Sequence, residues 1–186
     1  DILLLEDETG SGFTVDPTVT LSSGANNSGN DPTFTITRST AGKVVDVTLQ
    51  VGGTGYSAGA ATVDAPSEFP FGTTSVSGNA IGLGSIPFAV NDKVVYDNDG
   101  GSENIGLTNG TTYYVVEVVQ DGGTVKLATS QGGTALTLTA GTSETHKLKG
   151  LQAVVTAAVD GTGSVTGFTI TEGGSGYLTA PSITPA

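Results

Sequence analysis

The stretch GSVTGFTITEGGSGY at residues 163–177 decides how this chain folds, because a related stretch lies 121 residues earlier. That stretch, at residues 42–56, reads GKVVDVTLQVGGTGY. A shorter match, ETGSGFTVDPTV at residues 8–19, aligns without a gap to residues 172–183. We call them copy one (8–19), copy two (42–56) and copy three (163–177). Their matching flanks favour true repetition over a merely common hairpin turn, and repeated units are expected to pack together and bury a shared core.

Each copy ends in a glycine-rich turn followed by an aromatic residue. Glycines in such a turn allow left-handed backbone or unusually close packing. We expect the aromatic side chain to fold back over the turn as a plug. The predicted turn residues are Gly10, Gly12 and Phe13 in copy one, Gly52, Gly53, Gly55 and Tyr56 in copy two, and Gly173, Gly174, Gly176 and Tyr177 in copy three.

The composition excludes several classes of protein. The 186 residues include 29 Gly but no Cys, Met or Trp, and only 13% are charged, which argues against a helical bundle or coiled coil. Without Cys there is no disulfide framework or thiolate chemistry. Acidic residues outnumber basic ones 18 to 6, so the net charge of -12 argues against nucleic-acid binding. No apolar run is long enough to predict a transmembrane helix.

Short segments rich in Val, Thr and aromatic residues predict β-strands separated by Gly-Gly, Asp-Gly and Asn-Gly turns. We therefore predict an all-β fold in which a short-stranded repeat domain forms a sandwich or β-stack. The clearest predicted strands lie at residues 33–37, 44–49, 93–96, 112–119, 124–128 and 135–139.

The segment between copies two and three lacks the motif and has a strand series of its own. We predict that it is an inserted small β-barrel or sandwich domain, which divides the chain into residues 1–68, 69–149 and 150–186. Because copies two and three should pack together, the ends of the insertion should lie close in space. Its core is expected to contain Leu127, Leu136, Leu138 and Leu148.

Copy one is preceded by the apolar segment Ile2, Leu3, Leu4 and Leu5 and lacks the opening strand of the other copies. Since an unpaired apolar edge would promote aggregation, we predict that this segment is an assembly strand that pairs with another subunit or an upstream segment. The chain starts in the middle of a repeat and contains no Met, so we expect it to be processed or part of a longer polypeptide.

The repeat resembles one found in structural proteins of tailed bacteriophages, especially marine viruses that infect cyanobacteria. Residues 165–183 and 44–56 carry this resemblance. Two stretches of the insertion, NDKV at 91–94 and LTNGTTYYV at 107–115, are similar to another module of those proteins, and ILLLED at 2–7 is similar to a recurring element in them. The resemblance implies a virion or surface building block without fixing its position.

The sequence offers few groups for catalysis. Asp97, Asp99 and Glu103 form the densest acidic cluster, which predicts a solvated hairpin loop or, alternatively, a calcium site, although the spacing does not match an EF-hand. The single histidine, His146, is interpreted as a surface or strand-end residue, because no Gly-x-Ser-x-Gly motif accompanies it. Of the adjacent Tyr113 and Tyr114, at least one should be in the core, because neighbouring strand residues face opposite sides. We therefore expect no enzyme activity and no cofactor other than calcium.

Three functions fit this sequence. The first is a non-enzymatic virion structural protein of a tail, fibre or capsid decoration that forms oligomers, or binds neighbouring subunits, through β-strand edges. The second is a bacterial extracellular filament or adhesin subunit, and the third is a glycan-binding module with a surface glycan as its partner. All three predict a virion or extracellular location.

Overall fold

The computed structural model describes residues 18–20, 32–40, 42–86 and 88–184, and it confirms the predicted all-β fold. These residues contain no α-helix and one 3-10 turn, Thr73–Ser75. The assembly strand and the copy-one turn lie outside the described residues. The strands are β1 (Thr18–Thr20), β2 (Thr33–Arg38), β3 (Val44–Val51), β4 (Gly59–Val63), β5 (Glu68–Gly72), β6 (Val76–Ser77), β7 (Ala80–Gly82), β8 (Lys93–Asp97), β9 (Thr112–Val119), β10 (Thr124–Ala128), β11 (Thr145–Gly150), β12 (Val154–Val159), β13 (Val165–Glu172) and β14 (Ile183–Thr184).

The strands form three antiparallel sheets. Two of them, which we call the repeat sheets, have the orders β1-β2-β3 and β13-β12-β4-β14. The third, which we call the inserted sheet, has the order β5-β11-β8-β9-β10-β7-β6. At the base of the inserted sheet Glu68 lies opposite Lys149, so the chain enters and leaves this sheet at adjacent points.

Five of the six predicted strands are confirmed, and the one at residues 135–139 is wrong. This segment has no regular structure in the described chain. The Leu136 N–H donates to the carbonyl of Leu127, whereas the Thr139 N–H donates to the carbonyl of Ile105. Because its backbone bonds two different neighbours, the segment cannot form a continuous ladder with either.

Two separate hydrophobic cores underlie these sheets. The core of the inserted sheet contains Leu127, Leu138 and Leu148, with Leu136 packed against it, as predicted. Tyr113 is buried there and Tyr114 is only partly buried, which confirms the prediction for this pair. The other core lies within the repeat sheets, where an edge-to-face ring contact joins Phe34 of β2 and Phe168 of β13. The arrangement is sandwich-like.

Candidate functional site

Copies two and three are joined by reciprocal backbone hydrogen bonds. The Val44 N–H donates to Gly173 O (2.9 Å), and its equivalent, the Val165 N–H, donates to Gly52 O (2.8 Å). Likewise the Tyr177 N–H donates to Gly42 O, and the Tyr56 N–H donates to Gly163 O, both at 2.9 Å. Each bond therefore has a counterpart in which the two copies exchange roles.

This reciprocity extends to the strands and hairpins that carry the copies. Strands β2 and β3 correspond to β12 and β13 at the same 121-residue offset. The hairpin turns also match, because the Ser39 N–H donates to Lys43 O and the Asp160 N–H donates to Ser164 O. The repeat sheets are thus related by an approximate two-fold axis, and their joint is isologous, the type of contact that symmetric dimers use.

The glycines of the turn have two distinct roles, both predicted from the sequence. Gly53, Gly55, Gly174 and Gly176 have positive φ angles between 58° and 91°, which glycine adopts without strain. The first glycine of each turn instead allows close approach. A Cβ on Gly173 would lie 2.6 Å from Val44 O, and one on Gly52 would collide with Val165 O. Because the obstacle is backbone in both cases, neither position has room for a side chain.

Tyr177 is buried in the core of the repeat sheets, so its side chain points inward. Its hydroxyl donates to Asp64 O (3.0 Å) and accepts from the Ala153 N–H (2.8 Å). Burial raises the pKa of this hydroxyl above its ordinary value. Tyr56 of copy two is half-buried.

Copy one departs from this pattern at one position. In the alignment to the other copies, Thr9 stands where copy two has Gly52 and copy three has Gly173. The joint between copies two and three has no room for a Cβ at that position. Copy one therefore lacks a residue that this joint requires.

The turn of copy three also contacts the inserted sheet. The Ser175 hydroxyl donates to Lys93 O (2.6 Å) and accepts from the Leu151 N–H (2.9 Å). A Cβ on Gly176 would lie 3.1 Å from the rings of Phe69 and Phe88. This turn is buried and connects the two parts of the described chain.

Two ion pairs cross the same seam between the repeat sheets and the inserted sheet. Lys43 pairs with Asp92, whose side chain is fully buried, and Lys93 lies 3.8 Å from Glu172. Asp92 Oδ2 also accepts the Ala89 N–H (2.9 Å). The sequence pattern contains no signal for the Lys43–Asp92 pair, because the two residues precede strands of different sheets and are 49 positions apart.

The structure does not bring together the three carboxylates considered for calcium. Asp97 pairs with Lys149 (2.6 Å) and Asp99 with Lys147 (2.8 Å). Glu103 accepts the N–H of Thr142 (2.8 Å) and hydroxyl hydrogen bonds from Thr142 and Thr73. No group of three or more His, Cys, Asp or Glu residues in the described chain is placed to hold a metal ion. The loop interpretation agrees with these contacts and the calcium interpretation does not.

Glu103 and Glu144 instead hold two loops together. Glu103 Oε1 accepts the Thr142 and Ser143 N–H groups, while Glu144 Oε2 accepts the Glu103 N–H (2.8 Å). Hydrogen bonds from the hydroxyl of Thr142 and, to a smaller extent, from that of Thr73 lower the pKa of the Glu103 carboxyl to about 2. The pKa of Glu144 is also lowered, chiefly because the Glu103 N–H bonds its charged form. The sequence did not predict this role for Glu144.

His146 is a strand-end residue, the second of β11, but its assignment to the surface is wrong, because the residue is 0% exposed. Its Nδ1 lies 2.6 Å from the Tyr96 hydroxyl and its Nε2 lies 3.2 Å from Glu144 Oε2. Burial raises the pKa of Tyr96 to about 12. The alternation of β11 contained the missing signal, since His146 is two residues from the fully buried Leu148 and so faces the same side. A deeply buried histidine between these partners stabilises the core and is not accessible to a substrate.

The fold and these contacts define an all-β protein with two reciprocally joined repeat copies and an inserted antiparallel sheet. No protein-family model, curated protein or solved structure matches the chain. In the described part of the chain, no helix is long and apolar enough to span a membrane.

Proposed function

We propose that this protein is a non-enzymatic structural component of a virion, in a tail, fibre or capsid decoration, that assembles through β-strand edges. The observation that carries the proposal is the reciprocal joint between copies two and three. A joint of backbone bonds between repeated units produces a stiff building block, and the spacing that the two copies share serves this joint and not chemistry.

The carboxylates and the histidine that could act in catalysis bond other groups of the protein, which supports a non-enzymatic role. Glu103 and Glu144 bind loop N–H groups, Asp97 and Asp99 pair with lysines, and His146 is buried. General acid–base catalysis needs a titratable group within reach of a substrate. These groups are instead used to hold the structure.

The sheet edges support assembly through the repeat sheets. The outer strands of the inserted sheet are β5, which contains Pro70, and the two-residue β6. Proline protects an edge from pairing with another chain, which disfavours β5 as an assembly edge. Strand β14 ends a repeat sheet and pairs only with β4 among the described strands, so its outer edge is our candidate for a neighbouring subunit.

Light scattering coupled to size exclusion, followed by negative-stain imaging, tests the proposal. We expect concentration-dependent oligomers or fibres, or density bound to a virion. Thr184→Lys should weaken assembly, because lysine on an edge strand disfavours pairing. Thr129→Lys, the same change at an exposed position directly after β10, should not. A protein that stays monomeric at every concentration and binds no virion would exclude this function, whereas filaments that form without any virion would favour the extracellular filament subunit.

A further inference from the structure

A small pocket of about 190 Å³ opens at the seam between the repeat sheets and the inserted sheet. Lys43, Glu172 and Gln152 line it from the repeat side, and Asn91, Asp92 and Lys93 line it from the side of the inserted sheet. Junctions between structural units are preferred places for small-molecule sites. Amide, ammonium and carboxylate groups line this pocket.

Several polar groups in the pocket have no protein partner within the described chain. The side-chain amide of Asn91 forms no hydrogen bond, and Gln152 uses only its Nε2, which donates to Val63 O. Asp92 Oδ1 is buried and is occupied by the Lys43 ammonium, so it is satisfied within the protein. The groups left to bond a ligand are therefore the Asn91 amide and Gln152 Oε1, each of which can form hydrogen bonds outward.

Two carboxylates near the inserted sheet differ from Glu172 in the pocket, because they are hydrogen-bonded within the protein. Glu103 and Glu144 each accept several hydrogen bonds from loop N–H groups. In the pocket Glu172 is 60% exposed, and its one described polar contact is Lys93 at 3.8 Å. Carboxylate, ammonium and amide groups therefore lie side by side in the seam, where they can bond outward.

The charge and size of the pocket narrow the class of ligand. Two lysines and two carboxylates make the pocket neutral, although the chain carries a net charge of -12. A neutral ligand that both donates and accepts hydrogen bonds suits this mixture of amides and opposed charges. The volume lies below the roughly 300–1,000 Å³ of sites for drug-sized ligands, so it suits a single ring. Val154, which is 48% exposed at the rim, offers an apolar contact for C–H groups.

We infer that this seam pocket binds one ring of a neutral saccharide. Each sugar hydroxyl donates one hydrogen bond and accepts others, so it can bridge the Asn91 amide to Gln152 Oε1 or to a carboxylate. Binding here does not require the assembly role proposed above. It gives that building block a means of contacting a surface glycan.

Titration of ¹⁵N-labelled protein with the methyl glycosides of neutral hexoses and N-acetylhexosamines tests this inference. At least one glycoside should produce saturable shifts at the amides of Asn91, Gln152 and Gly173, with a Kd of about 1 mM, equivalent to about -4 kcal/mol. Asn91→Gly should weaken binding by about tenfold, the effect of losing about 1.4 kcal/mol of hydrogen bonding. Because Asn91 has a φ of 76°, glycine preserves its backbone while removing the amide.

Asn79→Gly is the control, since Asn79 also has a positive φ, 65°, and does not line the pocket. Because this change also removes the hydrogen bond that Asn79 Oδ1 accepts from the Leu138 N–H, the native fold of the variant is checked first from its amide spectrum. It should leave the Kd unchanged. Shifts absent from the seam with every glycoside, equal effects of the two glycine variants, or seam shifts with sodium sulfate alone would each overturn the inference. Assembly is measured separately by light scattering, so a failure of sugar binding and a failure of the proposed function are distinguishable.

Discussion

Copies two and three share one motif and one joint but have different surroundings. In copy three Ser175 is 1% exposed and Gly176 is buried, because the turn packs on the inserted sheet, while Tyr177 is buried in the core of the repeat sheets. In copy two the equivalent Thr54 and Gly55 are exposed and Tyr56 is half-buried. The same backbone turn therefore supports two uses, one as a joint between the copies and one as a contact with a further sheet.

Some residues of the turn form the joint in both copies, and others contact the inserted sheet in copy three alone. The first glycine of the turn is enclosed by backbone in both copies, so it belongs to the joint. The third and fourth turn residues, Ser175 and Gly176, contact the inserted sheet only in copy three. Changes at equivalent positions should therefore have equal effects at the joint and unequal effects at the tip of the turn.

The largest expected effect is the loss of the joint. Gly52→Ala and Gly173→Ala should each lower the free energy of unfolding by about 3 kcal/mol or more, because a methyl group there meets a carbonyl that cannot move freely. Urea unfolding measures the change. Gly167→Ala in β13, where a Cβ meets nothing within 4 Å, is the control and should be neutral or slightly stabilising. If only one of these two variants lost much free energy of unfolding, copies two and three would not be equivalent at the joint.

The fourth residue of the turn should distinguish the copies. Gly176→Ala adds left-handed strain of about 1–2 kcal/mol and overpacking of about 1–3 kcal/mol against Phe69 and Phe88. Gly55→Ala at the exposed equivalent should add only the strain. Thermal unfolding followed by circular dichroism compares them, and Gly110→Ala, with a φ of 73° and open space, calibrates the strain alone. Equal losses at Gly55 and Gly176 would contradict the role of the inserted sheet.

A smaller effect is expected at the third residue. Ser175→Ala leaves the Leu151 N–H and Lys93 O without their hydroxyl partner, which should cost about 1–3 kcal/mol. Thr54→Ala, at an exposed position, should change stability by less than about 0.5 kcal/mol. Amide hydrogen exchange shows where stability is lost. Ser175→Ala should speed exchange of the Leu151 amide, and Thr54→Ala should not. No change in exchange there would show that this hydrogen bond does not hold the seam.

Much of the fold follows from local patterns in the sequence, and much of the site does not. Alternation and Gly-rich turns predicted five strands and the roles of the turn glycines, because these depend on neighbouring residues. The reciprocal joint, the Lys43–Asp92 pair and the loop contacts of Glu144 depend on which distant segments meet. The burial of His146 was only partly predictable. The alternation of β11 indicated a buried residue, whereas the polar side chain suggested the surface.

The smallest effect concerns the hairpins before the two copies and depends on pH. Asp160 Oδ1 accepts the Thr162 hydroxyl and the Thr162 and Ser164 N–H groups, which lowers its pKa below its ordinary 3.8. At the equivalent position Ser39 Oγ accepts the Lys43 N–H (3.2 Å) and does not titrate in this range.

Because the pKa of Asp160 is lower in the folded protein, its contribution to stability is complete above pH 3.8 and is lost as pH falls through the lowered value. Between about pH 5 and pH 2, the Ser164 amide should therefore shift in an NMR titration while the Lys43 amide stays nearly constant. Asp160→Ser gives copy three the hairpin chemistry of copy two and should abolish the shift at Ser164. Titration at Ser164 that persists in this variant would have to come from another carboxylate, and the difference between the two hairpins would then not reside in residue 160.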